Sequence, residues 1–392
     1  MVQRTLDLEK SLGAQNSAFL FGARGVGKTY LASAYVKNNP HCKRYDLLKF
    51  SVYSRYLKDP SLLSLEIEAE VSRGHRVLVW VDEVQKIPAL LDEVHSLIES
   101  HKGRVRFLLT GSSARKLKRS GANLLAGRAL SLHLYPLTYE EFPMPLSRCL
   151  RLGSLPGVVV GQDKPEATLR SYIATYLKEE ILEEALARKV DAFARFLEIA
   201  AQYHGEPINA SEIGKAAGVS GKTVNQYFQI LEDTLIGWKL PGWSASTRKQ
   251  LRTTPKFFLF DNGVANALRG ELNLDLQESS SRFGKLFECW AVQELFRLND
   301  YYGLDLKFSY WQTNTGTEVD IIISRGAGPP IAAVELKSSK NPEAKKLNGL
   351  KAFSEEYPKT PLFCFCRSPQ AYSLSGVTIH PIETMLEVLK NL

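Results

Sequence analysis

Residues Gly22-Ala23-Arg24-Gly25-Val26-Gly27-Lys28-Thr29 fit the pattern G-x-x-x-x-G-K-[ST] without a mismatch. Few short stretches restrict a fold more, because this pattern works only where a strand ends and a helix begins. The flanking sequence supplies both. Residues 17–21 form a short apolar run expected to be a buried strand, and residues 30–36 carry a helical pattern. The glycines let the backbone curl so that its N–H groups point inward at an anion. The helix N-terminus adds partial positive charge at the same place. The implied ligand is a nucleoside triphosphate, cradled by residues 22–29. Lys28 is expected to reach its β- and γ-phosphates and Thr29 to ligate Mg²⁺.

A second motif agrees. Residues 77–81 are an apolar run of the kind found in central parallel strands, and they lead into Asp82-Glu83. In a nucleotide hydrolase Asp82 would hold Mg²⁺ through water and Glu83 would orient the attacking water as a base. A third apolar run, residues 105–109, leads into Thr110-Gly111-Ser112-Ser113. Ligands of open α/β sheets bind outside the carboxyl ends of the strands. Ser112 or Ser113 is therefore placed to sense the γ-phosphate, with Ser112 the candidate; a cap for the next helix is an equally available role.

This succession of strand, glycine loop, acid-tipped strand and Thr-Gly-Ser-Ser strand resembles an AAA+ ATPase module. The wider chain resembles a prokaryotic ATPase family whose carboxyl half is catalogued as a domain of unknown function. Leu125-Ala126-Gly127-Arg128, Leu155-Pro156-Gly157 and Tyr176-Leu177-Lys178-Glu179-Glu180-Ile181 extend the likeness over nearly the whole chain. It implies ATP and Mg²⁺ as ligands, a homo-oligomer, and Arg128 as an arginine finger acting on a neighbouring subunit's nucleotide. No guanine-reading Asn-Lys-x-Asp is present.

The chain has 392 residues, long enough for two or three domains. It has no apolar run long enough to span a bilayer, and the polar, acidic segment after Met1–Thr5 is not expected to act as a secretory signal. Its five cysteines (Cys42, Cys149, Cys289, Cys364, Cys366) lack zinc-ligand spacing, which suits reduced thiols and a cytoplasmic location. The net charge of +8 favours a polyanionic partner. Two stretches carry bases and no acids: Lys102, Arg104, Arg106, Arg115, Lys116, Lys118, Arg119 and Arg128, then Lys239, Arg248, Lys249, Arg252 and Lys256.

Residues 153–165, rich in Gly and Pro, read as a linker. Residues 167–188 read as a long helix with acids at Glu179, Glu180, Glu183 and Glu184. Residues 208–231 then give helix, tight turn at Gly218 and second helix, with Ser220 as N-cap. Val224, Tyr227, Phe228 and Leu231 form its buried stripe, leaving Lys222, Thr223, Asn225, Gln226 and Gln229 outside. Two strands, at 235–240 and 256–260, complete a unit that resembles a winged helix. Such a unit binds duplex DNA or docks a protein.

The last third has Glu288 near the start of a helix, Asp320 at the head of a strand, and Glu335-Leu336-Lys337 at the end of the next. Alternation puts Glu335 and Lys337 on one face, and the intervening turn brings Asp320 beside them. The set resembles the PD-(D/E)xK core of restriction-like nucleases. By that likeness Asp320 and Glu335 ligate Mg²⁺, Glu288 completes the acidic site, and Lys337 orients water or steadies charge on phosphate. The expected fold is therefore α/β in three domains: a P-loop AAA+ ATPase domain at 1–152, a helical and winged-helix middle domain at 153–262, and a restriction-endonuclease-like α/β domain at 263–392. The expected function is ATP-driven action on nucleic acid, with DNA contacted by the winged helix and the basic stretches. The competing expectation is a catalytically silent nuclease fold in an ATP-gated switch that binds DNA or protein.

Overall fold

The computed structural model describes residues 2–13, 15–37, 39–113, 117, 125, 127–161, 164–177, 190–245 and 253–392. Two compact units emerge. One holds the described residues up to Leu137 together with Gln229–Ile236; the other holds the rest.

The first unit is built on a five-stranded parallel sheet, consistent with a P-loop domain. Its order is β2 (Cys42–Asp46), β3 (Val77–Asp82), β4 (Val105–Gly111), β1 (Ser17–Phe21), β5 (Ala129–His133). Every residue of β1 and β3 is buried, as expected of strands covered on both faces. Strand β4 lies between β1 and β3, pairing Leu20 with Thr110 on one side and Asp82 with Thr110 on the other. The carboxyl ends of all three strands therefore share one edge. Helix α1 (Lys28–Val36) leaves that edge directly after the glycine loop. Helices Leu62–Ser72 and Leu90–Ser100 contribute Leu63, Ile67, Val94 and Leu97 to the core, which centres on Phe19, Val79, Val81 and Phe107.

The second unit contains two sheets. A short antiparallel one has the order β6 (Glu206–Pro207), β8 (Lys256–Leu259), β7 (Gly237–Leu240). Helices α2 (Val190–Gln202), α3 (Ala210–Ala217) and α4 (Gly221–Asp233) precede β7. Gly218 ends α3 at φ +72°, where glycine relieves the Cβ clash, and the Ser220 hydroxyl accepts the Thr223 N–H at 3.1 Å to begin α4. Val224, Tyr227, Phe228 and Leu231 are buried, while Lys222, Asn225, Gln226 and Gln229 are exposed. The six-stranded sheet runs β13 (Tyr372–Leu374), β14 (Val377–Pro381), β12 (Leu362–Cys366), β11 (Pro330–Lys337), β10 (Glu318–Arg325), β9 (Leu306–Gln312). Strands β9 to β11 form an antiparallel meander. Helix α5 (Ser281–Tyr301) precedes it, and α6 (Asn348–Glu356) links β11 to the parallel β12.

Two expectations need correction. The described part of the stretch 153–165 is not a loose linker. Ser154, Leu155, Val158 and Val159 are buried, a helix forms at Pro156–Val159, and the Ser154 N–H bonds the buried Asp261 carboxylate at 2.7 Å. Apolar residues between the glycines supply the reason: they bury area that a linker would leave wet. The long helix expected from residue 167 starts at Pro165–Ser171 and passes into a π-helical stretch, Tyr172–Leu177. Its acids Glu179, Glu180, Glu183 and Glu184, and the motif residues from Lys178 on, lie outside the described residues, as do Ala126, Arg115, Lys116, Lys118, Arg119, Arg248, Lys249 and Arg252.

Helix α5 is fastened to β8 by polar bonds as well as packing. The Leu259 N–H donates to His204 Nδ1 at 3.0 Å, so the neutral ring carries its proton on Nε2, 2.9 Å from Asn262 Oδ1. Asn262 Nδ2 then donates to the Leu286 carbonyl on α5 at 2.9 Å. Gln293 and Arg297 of the same helix donate to the Leu259 and Phe260 carbonyls, each at 2.8 Å. Gly205 allows the close approach, since a Cβ there would lie 2.6 Å from Cys289 Sγ.

Burial holds His204 neutral, with a pKa pushed from 6.5 down to about 3. The unfolded chain takes up this proton as pH falls below 6.5, and the folded chain does not. Stability is thus fully present above pH 6.5 and should fall by about 1.4 kcal/mol per unit on acidification towards the folded value. Denaturant titrations of this unit at pH 6.5 and 5.5 should show that extra slope in the parent and lose it in His204→Gln. Equal slopes would reject the assignment.

Candidate functional site

The loop after β1 wraps its own lysine. Lys28 is buried, and its ammonium donates to the Gly22 carbonyl at 2.8 Å and to the Ala23 carbonyl at 3.2 Å. Gly25 and Gly27 have φ of +83° and +99°, conformations that turn successive amides inward. Gly22 is required for a second reason: a Cβ there would collide with the Leu134 carbonyl. Arg4 braces the loop, donating to the Val26 carbonyl at 2.8 Å and the Tyr135 carbonyl at 2.7 Å. Arg24 and Gly25 form the open side of the curl, and Ala23 and Val26 are buried beneath it.

Asp82 ends β3 at 1 % exposure. One oxygen accepts the Thr110 hydroxyl at 2.5 Å; the other lies 3.4 Å from the Thr29 hydroxyl and 3.5 Å from Arg44. Burial raises its pKa, the Thr110 bond pulls it down, and Glu83 raises it again, for a net rise. The pairing of Thr29 with Asp82 puts two oxygen donors side by side, which is what a Mg²⁺ ion held partly through water needs. Arg44 lies over the Trp80 ring at 4.1 Å.

Glu83 has φ +60° and ψ +48°, a left-handed backbone that is rare outside glycine and costs of order 1–3 kcal/mol. Side-chain bonds hold it there. Gln85 Nε2 donates to Glu83 Oε2 at 2.5 Å and to Ser112 Oγ at 3.0 Å, and Ser112 Oγ lies 3.4 Å from Glu83 Oε2. Ser113 instead bonds the Asp233 carbonyl at 3.5 Å, so Ser112 is the serine that faces the acid. Gly111 makes room for Gln85, whose Oε1 would lie 2.7 Å from a Cβ there. Sequence reasoning passed over Thr110, Gln85, Arg44 and Arg4. The position of Thr110 beside Asp82 was the available signal, since adjacent strand ends must meet.

Arg128 does not join this group. It precedes β5, whose first residue pairs with the first of β1, so it sits at the strand ends remote from the loop. It ion-pairs with Glu99. Within the first basic stretch, Arg104 and Arg106 are also committed, to the Val71 and Gly13 carbonyls.

In the second unit, three segments bring acids together. Carboxylate oxygens of Glu288 on α5 and of Glu318 and Asp320 on β10 all lie within 4.8 Å of one another. Asp320 accepts the Leu336 N–H at 2.7 Å, which ties it to β11 between Glu335 and Lys337. Glu335 pairs with Lys337 through one oxygen; the other is buried with no hydrogen-bond partner. Gly349 on α6 leaves the needed space, because a Cβ there would strike the Glu318 carbonyl and approach Glu335 Oε2 to 3.6 Å. Burial, then the Asp320 charge, raises the pKa of both Glu288 and Glu335. Burial pulls Lys337 down, but Asp320 and Glu335 more than offset it. An orphaned buried carboxylate oxygen beside further carboxylates fits a hard divalent cation.

Lys256 overturns an expectation. Read as part of a basic face, it is 3 % exposed and paired with Glu318, with Glu288 at 3.6 Å. It opens β8, a strand buried along its whole length, and pairing with Pro207 and Leu240 holds its backbone between two strands. Glu318 and Lys256 are the members of this charged cluster that sequence reasoning missed. For Glu318 the two-residue spacing to Asp320 was a usable signal.

Residues 14–143 match the family model described as an AAA domain. This match supports an AAA-type ATPase for the first unit. Residues 145–278 match a domain of unknown function (DUF8612) and residues 283–385 another (DUF4143). An uncharacterized protein of Mycobacterium tuberculosis is 26 % identical over 345 residues, covering 86 % of this chain and 74 % of that protein. An uncharacterized protein of Haemophilus influenzae is 24 % identical over 292 residues, covering 67 % of this chain and 72 % of that protein. Among the described residues, no helix is long and apolar enough to cross a membrane.

The Asp82–Thr110 bond gives the AAA domain a testable weak point. Thr110→Val keeps the shape but leaves Asp82 Oδ1 and the Trp80 indole N–H, 3.3 Å from the same hydroxyl, unpartnered. Loss of a buried bond to a charged group should cost about 2 kcal/mol, read as a lower denaturant midpoint at unchanged slope. A midpoint within error of the parent would contradict it.

Proposed function

We propose that the chain binds and hydrolyses ATP in its AAA domain and acts on nucleic acid through a nuclease-like carboxyl-terminal domain. The observation that carries the first half is the buried Lys28 inside a glycine loop, with Asp82, Glu83 and Ser112 at the neighbouring strand ends. Backbone amides of residues 22–29 and the Lys28 ammonium would hold the triphosphate. Thr29 and Asp82 would hold Mg²⁺, which supplies charge neutralisation at the phosphates when bound. Glu83 would orient the attacking water and take its proton, with Gln85 and Ser112 fixing the carboxylate. Arg128, remote from the loop of its own chain, would serve a neighbouring subunit of a homo-oligomer.

The second half rests on the meeting of Asp320, Glu335, Lys337 and Glu288, with Glu335 Oε2 unpartnered. The order of helix α5, meander β9–β11, helix α6 and parallel strand β12 supports the likeness to the PD-(D/E)xK core. Asp320 and Glu335 would hold a divalent ion, which supplies a hard cation to a phosphodiester oxygen. Lys337 would donate to the attacking water, and Glu288 would complete the acidic wall. Helices α3 and α4 followed by the β7–β8 pair support a winged-helix reading, whose exposed Lys222, Asn225, Gln226 and Gln229 suit contacts to phosphates and base edges. The domain limits proposed are 1–152, 153–262 and 263–392. One observation favours a silent switch over a nuclease: Lys256 already stands among the acids.

Lys28→Ala should abolish nucleotide binding, because the phosphates lose their chief point charge. Glu83→Gln should bind ATP normally and lower turnover by about 10²–10⁴-fold, the usual worth of a general base. Parental hydrolysis rates in both variants would refute the ATPase assignment. For the other unit, the protein is incubated with Mg²⁺ or Mn²⁺ and plasmid or single-stranded DNA, with and without ATP. Cleavage is expected in the parent and should vanish in Asp320→Ala and Lys337→Ala. An absence of cutting with every substrate, together with ATP-dependent partner binding, would select the switch.

A further inference from the structure

We propose that Lys256 restricts the acidic site of the second unit to a single divalent cation, by standing as a tethered ammonium between Glu288 and Glu318 and leaving only the Asp320–Glu335 side open to metal. The inference rests on the metal-binding reading of that site.

Glu288, Glu318 and Asp320 present oxygens within 4.8 Å of one another, close enough for one ion to bridge. Unshielded carboxylates at that distance repel strongly, and a partly buried cluster of them needs positive charge to persist. Lys256 supplies it from a different sheet. Its ammonium pairs with Glu318, lies 3.6 Å from Glu288, and sits 5.2 Å from the centre of the Tyr310 ring. Tyr310 is itself held, since its hydroxyl donates to the Thr254 carbonyl at 2.5 Å and its N–H to the Pro241 carbonyl at 3.0 Å. Strand pairing of Lys256 with both Leu240 and Pro207 fixes the backbone beneath the side chain. The cation is thus positioned from both ends.

The other side of the cluster is different. Glu335 Oε2 is buried and unpartnered, and Lys337 engages only the opposite oxygen of Glu335. Four ionised carboxylates and two ammoniums would leave two negative charges, which one divalent ion neutralises. Removing the Lys256 charge would leave three and would free oxygens of Glu288 and Glu318 for a second ion.

The test counts bound Mn²⁺ on the full chain, without nucleotide, by the electron paramagnetic resonance signal of free Mn²⁺. Asp82→Asn serves as the control for any ion held at the phosphate loop. The parent should bind one ion in the acidic site. Lys256→Gln should bind a second, or bind the first at least tenfold more tightly, and Lys256→Arg should match the parent. Identical number and affinity in Lys256→Gln and the parent would overturn the proposal, as would a parent that binds no ion there. Asp320→Asn separates the two layers. If it binds Mn²⁺ as the parent does, the metal-site reading itself fails; if it loses the ion while Lys256→Gln behaves as the parent, only the role of Lys256 fails. Should Lys256→Gln fold poorly without metal, its melting temperature is followed with Mn²⁺. Recovery towards the parental value supports the proposal, and no recovery refutes it.

Discussion

The ion cluster formed by Lys256 with Glu288 and Glu318 ties three separate elements of the second unit together. One partner comes from a short three-stranded sheet, one from a long helix and one from the meander. None of the three charges could be buried to this extent alone, because each would lose its hydration without replacement. The surrounding neutral bonds explain how the cluster keeps its geometry. His204 and Asn262 join β8 to α5 through a chain of hydrogen bonds in which every donor and acceptor role is fixed by its neighbour. Gln293 and Arg297 repeat the attachment about two and three turns further along the helix. Helix α5 therefore cannot slide along β8 without breaking several buried bonds at once.

The AAA domain solves a similar problem with a different charge. Asp82 is almost wholly enclosed, yet it is satisfied by Thr110, Thr29 and Arg44, all delivered by elements that meet at one sheet edge. Placing β4 between β1 and β3 is what makes this possible. It puts a threonine next to the buried acid and a serine next to Glu83, while the glycine loop occupies the adjoining strand end. The left-handed backbone at Glu83 stores strain that the Gln85 and Ser112 bonds retain. Strain of this kind at a strand tip is consistent with an acid that must point away from the sheet.

Much of this was legible in the chain itself. The phosphate loop, the acid-tipped strand and the strand ending at Ser112 are local patterns whose spacing dictates both conformation and neighbours. The helix pair around Gly218 and the acid–lysine alternation at Glu335 and Lys337 are equally local. What escaped depends on contacts between distant segments. Nothing near Lys256 marks it as buried, because the acids that receive it lie 32 and 62 positions further on. Gln85 carries no mark in the sequence, because the space it needs is left by Gly111 on the neighbouring strand. The stretch 153–165 misled for a related reason: glycine and proline are turn-forming, but Leu155, Val158 and Val159 among them decide the outcome by burial.

A basic residue in the sequence is thus not evidence of a basic surface. Of the positively charged residues expected to face a polyanion, Arg104 and Arg106 are spent on backbone carbonyls, Arg128 on Glu99 and Lys256 on an acidic interior. The net charge of +8 still favours a polyanionic partner through its long-range field. On the proposed nucleic-acid reading, specific contact would fall to side chains that remain solvent-facing, and the outer face of α4 offers such a set: Lys222 with three amides at helical spacing. Amide side chains carry both donors and acceptors, so that face suits a partner with mixed hydrogen-bonding edges better than one presenting charge alone.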